Sequence, residues 1–137
     1  MNYKIEKFTK FSDKRGDLIV FLKNSELKKT QKKFGQIYFV TFSNKGVVRG
    51  NHYHKKWREW FGIVHGKLEV ALKDMITGEK TNFVLDSDQD KYLRLEIGPN
   101  IAHAFKSISE TAALLNYANS PWSNDDDFEE IIIPPKK

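Results

Sequence analysis

Residues 46–66, GVVRGNHYHKKWREWFGIVHG, restrict the fold more than any other stretch, because two histidines, a glutamate and flanking glycines recur at fixed offsets, G-x5-H-x-H-x4-E-x6-G. That spacing reads as two adjacent strands with a bend between them. Side chains alternate faces along an extended chain, so His52 and His54 point to the same side, about 7 Å apart along the strand. If the chain reverses over residues 55–58 and Glu59 opens the next strand facing inward, two imidazoles and a carboxylate share one cavity. Such a set serves either a metal or proton transfer. Further on, Gly98, Pro99 and Asn100 supply a tight turn before a strand that carries His103.

The rest of the chain reads as short strands. Residues 3–9 and 17–23 are expected to form strands around a turn at 13–17, and Leu18 and Val20 alternate with Ile19 and Phe21 as if both faces were covered. Residues 36–42 (QIYFVTF), rich in β-branched and aromatic side chains, are expected to be a central strand. Leu68, Val70 and Leu72 alternate with Lys67, Glu69 and Lys73, the chain turns at Thr77 and Gly78, and it returns as residues 80–85. A polar loop at 86–90, alternation through Leu93, Leu95 and Ile97, and an apolar run at 112–118 complete the pattern. The basic segment 23–33 is expected to be a solvated loop or a short helix started by Ser25. Residues 121–127 are acidic and turn-prone, and the Ile131 to Ile133 run before Pro134 is expected to form a strand or arm docked on the barrel, or on that of a partner subunit. Many strands with turn signals and almost no helical periodicity imply an all-β barrel or sandwich.

At 137 residues the chain is expected to form one domain, residues 1–137, with a core that needs no staples. It has no cysteine, which excludes disulfides and thiolate sites. No apolar run approaches membrane-spanning length, so a cytoplasmic protein with no membrane partner is expected. The formal charge of +5 is modest, basic residues alternate with acids, and nucleic acid is not expected as a partner.

The 46–66 stretch matches the first cupin motif at each spaced position, and residues 99–103 resemble the second, with Asn100 where glycine is usual. Asn tolerates a positive φ next best, so the departure is mild. The resemblance implies a jelly-roll (double-stranded β-helix) barrel with its site inside. Over nearly the whole chain, FSDKRGDLIVF, QIYFVTFSNKGVVRGNHYHKK and LLNYANSPWSNDDDF resemble the small cupins that act on nucleotide-linked 4-keto-6-deoxy sugars, and among these the dTDP-4-keto-6-deoxyglucose 3,4-ketoisomerases. It implies an isomerase feeding 3-amino-3,6-dideoxysugar biosynthesis for surface polysaccharide. His52 and His54 would be the catalytic pair and Tyr38 a hydrogen-bond donor to an enediolate; Arg15 and Arg49 would hold the diphosphate, and Glu59 and His103 would line the substrate site. No cofactor is expected, and a homodimer with exchanged N-terminal strands is.

Two alternatives stay open. The D-x-RG and RG-x-H elements also occur in dTDP-sugar 3,5-epimerases, although there the second histidine is usually glutamine. Ketoisomerases often have glutamine at the position of Glu59, whereas His52, His54, Glu59 and His103 together make the residue set of metal-binding cupins. RGNHYHKKWREWF also resembles a zinc cupin domain of capsule biosynthesis. A divalent metal such as zinc is the alternative cofactor.

Overall fold

Period-two patterning decides the architecture, because each alternating segment can bury one face only against another sheet. The computed structural model describes residues 1–136. One sheet has the order β1-β9-β6-β11-β4, formed by β1 (Tyr3–Thr9), β9 (Lys91–Ile97), β6 (Glu59–His65), β11 (Ala112–Ala118) and β4 (Gln36–Phe42). The other has the order β12-β5-β10-β7-β8, from β12 (Phe128–Glu129), β5 (Val48–Tyr53), β10 (Ile101–Ser107), β7 (Lys67–Asp74) and β8 (Lys80–Asp86). Every pairing within the two is antiparallel. A small hairpin of β2 (Phe11–Asp13) and β3 (Gly16–Leu18) stands apart from both.

The core lies between the sheets. Phe61, Ile63, Leu95, Ile97 and Leu114 come from the first, and Leu68, Val70, Leu72, Leu85, Ile101 and Phe105 from the second. This is the all-β barrel that the turn-and-strand pattern implies. Leu68, Val70 and Leu72 are buried as their alternation requires, and Gly78 turns the chain with φ +80°. Asn100 does adopt a positive φ, +66°, the conformation that glycine at this position would otherwise supply.

Several expectations are corrected. The two halves of the 46–66 stretch are consecutive in the chain but lie in opposite sheets, so the bend carries it across the barrel. β4 is an edge strand, and Ile37 and Phe39 on it are exposed. Its composition reports a surface suited to pleating, which an edge satisfies as well as a centre. The second strand stops at Leu18, and Leu18 and Val20 are exposed; Phe21 instead turns its carbonyl to Arg94. Segment 23–33 holds two 3-10 turns, Asn24–Glu26 and Lys29–Gln31, and the first begins at Lys23, whose N–H donates to the Glu26 carboxylate. The tail docks on its own barrel: β12 pairs with β5, and Ile133 is buried against Ala71 and Ala104.

Candidate active site

The site grows from the pairing of β5 with β10. His52 and His103 are direct cross-strand partners, which brings their rings to 4.7 Å between centroids. The ring of His54 lies 5.0 Å from that of His52 and is stacked on Trp57 at 4.1 Å. One ring nitrogen from each of the three histidines falls within a 4.8 Å cluster. Glu59, the first residue of β6, faces inward from the opposite sheet: its Oε2 is 3.7 Å from His54 Nε2 and 3.4 Å from His103 Nε2. The sequence-derived set His52, His54, Glu59 and His103 is thus brought together.

A bulge in β5 completes the wall. Arg49 pairs with Phe105, Gly50 with Ala104 and His52 with His103, so Asn51, at φ +62°, is the extra residue. On a regular strand Arg49 and His52, three apart, would face opposite sides; the inserted residue returns them to one face. Both line a cavity of about 130 Å³ together with Tyr38, Phe61, His103 and Phe105. Gly50, at φ +90°, permits the close approach, since a Cβ there would sit 2.7 Å from the His103 carbonyl oxygen. Arg49 donates its Nε–H to the Thr41 carbonyl at 3.0 Å, with the guanidinium over Phe42.

Three expected placements differ. His54, expected as half of the catalytic pair, is buried against Trp57 and is absent from the cavity wall, which leaves His52 as the histidine of the pair that faces the cavity. Arg15 does not join the others: it sits exposed in the β2–β3 hairpin, bound to Asp13. Glu59 is buried beneath the histidines and is absent from the cavity wall, because β6 places its first side chain in the barrel floor.

The residues that orient the histidines come from a strap that crosses the site, residues 122–133, which spacing arguments did not reach. The Asp126 carbonyl accepts from His54 Nδ1 at 2.7 Å, while its carboxylate takes the backbone N–H groups of Lys55 and Lys56 at 2.8 and 3.0 Å. Asp127 Oδ1 stands 3.3 Å from His52 Nδ1. His103 Nδ1 donates to the Ile101 carbonyl at 3.0 Å. Asn51 ties down the strap: its Oδ1 accepts from the N–H groups of Ile132 and Ile133, and its Nδ2 donates to the Ile133 carbonyl. The one available signal was the acid run at 125–127 in an otherwise basic chain.

With each Nδ1 turned to an oxygen, His54 and His103 present Nε2 to Glu59 as acceptors. Glu59 Oε2 and His103 Nε2, 3.4 Å apart, are both buried with no hydrogen-bond partner. Burial pushes the Glu59 carboxyl up to about 8, and Trp57 and Asn116 offset this only in part; the Asn116 amide itself closes no hydrogen bond of good geometry. Glu59 is therefore largely a neutral acid near pH 7. Burial also lowers all three histidines. For His52 the neighbouring His54 adds to this and Asp127 opposes it; for His54 the Asp126 carbonyl opposes it; His103 falls furthest, with His52 adding to the effect. The Tyr38 ring is partly exposed, but burial of its hydroxyl end, then the Glu59 charge, push its pKa up, against Arg49. It remains a hydroxyl donor. The arrangement is a neutral imidazole at a cavity mouth, a phenol and a guanidinium beside it, and a buried acid–imidazole array below.

Comparison with known proteins decides the family, because the model described as "FdtA: WxcM-like, C-terminal" matches residues 1–132. The chain belongs to this FdtA family. Among curated proteins, the spore coat polysaccharide biosynthesis protein SpsL of Bacillus subtilis is 28% identical over 134 residues, covering 96% of this chain and 87% of SpsL. Of solved structures, the 3,4-ketoisomerase QdtA from Thermoanaerobacterium thermosaccharolyticum, as a double mutant in complex with TDP, is 26% identical, with a TM-score of 0.75 over 93% of this chain and 86% of that one. ChmJ, a 3'-monoepimerase from Streptomyces bikiniensis in complex with dTDP-quinovose, superposes with a TM-score of 0.81 at 16% identity, covering 93% of this chain and 69% of its own. That likeness is one of fold alone. The fold of this chain is the cupin jelly roll, and the solved structures it resembles include 3,4-ketoisomerases and a 3'-monoepimerase, enzymes of dTDP-sugar modification. Among the described residues no helix is long and apolar enough to cross a membrane.

Proposed function

We propose that this FdtA-family chain is a sugar-nucleotide 3,4-ketoisomerase converting dTDP-4-keto-6-deoxyglucose to the 3-keto isomer. The observation that carries the reading is His52: it is partly open to the cavity, its Nδ1 stands 3.3 Å from Asp127 Oδ1, and Tyr38 and Arg49 line the same cavity. With Nδ1–H on Asp127, Nε2 is the free base. Nε2 takes the proton from C3, the C3–H electrons form a C3=C4 double bond, and the C4 carbonyl becomes an enediolate oxygen. The Tyr38 hydroxyl donates to that oxygen, and as donor and acceptor it passes the O3 proton to O4. The imidazolium, 31% exposed, exchanges its proton with solvent and delivers one to C4, leaving the ketone at C3; hydrogens and electrons balance with no added oxidant. Arg49 offers further guanidinium donors to the diphosphate.

Homodimer formation is part of this proposal, supported by the exposed apolar side chains of Phe11, Leu18, Ile37 and Phe39 on the hairpin and on the edge strand β4. Arg15 would meet a diphosphate only in such an assembly.

The test is turnover of dTDP-4-keto-6-deoxyglucose in D2O, followed by NMR. Deuterium at C4 with the ketone at C3 is expected, and His52→Asn should abolish it while the fold is kept. Deuterium at C3 and C5 with the ketone retained at C4 would make the protein a 3,5-epimerase and refute the proposal.

A second reading, a metal-binding cupin, is favoured by one observation: buried Glu59 Oε2 and His103 Nε2 lack partners, and the Nδ1 atoms of His54 and His103 are turned to carbonyls, as for metal-ligating histidines. These residues fit a divalent cation, with His52, His54, His103 and Glu59 to hold it. Such an ion would supply Lewis-acid polarisation of the substrate carbonyl. Elemental analysis of the purified protein separates the readings: a stoichiometric ion whose chelation removes activity would establish the second.

A further inference from the structure

We propose that Trp122 is a positioning residue for His52, acting through the Asp127 carboxylate; this rests on His52 being the base of the proposed reaction. Trp122 Nε1 donates to Asp127 Oδ2 at 3.0 Å, while Oδ1 of the same carboxylate stands 3.3 Å from His52 Nδ1. Each oxygen has its own partner. Indole, carboxylate and imidazole therefore form a line from the protein surface into the cavity.

The role of Trp122 is not packing. It exposes 52% of its surface, so it forgoes much of the benefit that burying so large a side chain normally brings. Its polar contacts are specific instead. Its backbone N–H donates to Gln36 Oε1 at 3.0 Å, which fixes the backbone of Trp122 to the start of β4, the strand that carries Tyr38. Between Trp122 and Asp127 the strap is anchored by the Asp126 carboxylate, which accepts from the backbone N–H groups of Lys55 and Lys56.

The consequence follows from rotation of a carboxylate. The Asp127 side chain is 26% exposed, so water competes for both oxygens, and an unrestrained carboxylate would turn about its terminal torsion. An indole N–H on Oδ2 fixes that torsion and keeps Oδ1 aimed at Nδ1. His52 then stays in the Nδ1–H tautomer, with Nε2 unprotonated and directed to substrate. Trp122 thus controls the fraction of enzyme whose base is correctly set, acting through Asp127.

The experiment compares the wild-type protein with Trp122→Phe and with replacement of Trp122 by benzothienylalanine, an isostere that keeps the ring system and lacks the N–H. Histidine-ring 15N NMR reports the tautomer, and turnover of dTDP-4-keto-6-deoxyglucose reports kcat and KM separately. Expected are distinct Nδ1–H and bare Nε2 signals for His52 in wild type, converging in both variants. A fall in kcat of about tenfold should accompany this, as for loss of one hydrogen bond to a charged group, with KM within twofold. Unchanged ring signals, or converged signals with kcat within twofold of wild type, overturn the proposal. The ring spectra need no turnover, so the tautomer claim and the ketoisomerase reading fail separately.

Discussion

Replacing Glu59 by Gln isolates the buried acid beneath the histidines. The substitution keeps shape and hydrogen-bonding capacity and removes one titration. The Glu59 carboxyl moves from an ordinary 4.5 to about 8 in the folded protein, chiefly through burial. Its folded pKa is raised, so between those values the native state binds the proton and the unfolded state does not. Wild-type stability therefore falls as pH rises through this window, by about 1.4 kcal/mol per pH unit for one group. Gln carries no such dependence. Glu59→Gln should be close to wild type at pH 5 and more stable by about 3–4 kcal/mol at pH 8. Urea denaturation of both proteins at half-unit steps from pH 5 to 8 measures this, and the difference between the two cancels titrations elsewhere to first order. A stability difference that stays flat across the window, or grows in favour of wild type, would refute the reasoning. It would mean that Glu59 is an anion in the folded state, as a bound cation would require.

The histidines act in the opposite direction. Burial depresses His103 well below its ordinary range, so the stability it contributes is present above about pH 6.5 and is lost on acidification; His103→Gln should reduce the acid-side slope by roughly one proton, about 1.4 kcal/mol per unit, and an unchanged slope would sink the assignment. Asn51→Gly keeps the backbone conformation but removes three hydrogen bonds to the strap, so a loss of about 3 kcal/mol and faster proteolysis after residue 122 are expected; Asn51→Ala adds about 1 kcal/mol of positive-φ strain. Equal stability of the Ala and Gly variants would contradict the strain argument. Gly50→Ala forces a Cβ against the His103 carbonyl and should cost about 2–4 kcal/mol in urea titration, with loss of the NMR signature of paired His52 and His103 rings; a silent substitution would show that the two strands can separate freely.

What the chain alone determined is local. Alternation set most of the strands, the G-x5-H-x-H-x4-E-x6-G spacing set two imidazoles and a carboxylate facing inward, and Asn100 marked a left-handed turn before His103. These depend on backbone geometry over a few residues, which sequence spacing reports directly. The tertiary structure decided everything that joins distant segments. That Arg49 shares a face with His52 depends on a bulge at Asn51, and a single inserted residue leaves no trace in a hydrophobic pattern. That β4 lies at an edge depends on which strand pairs beyond it, a property of the whole sheet. Asp126, Asp127 and Trp122 reach the histidines across some seventy residues of chain, and no local rule links an acidic turn near the end to an imidazole near the middle. Residue types near one another in sequence named the reactive groups; closure of the barrel and docking of the strap chose their protonation states, because burial and hydrogen-bond partners exist only once the chain has folded.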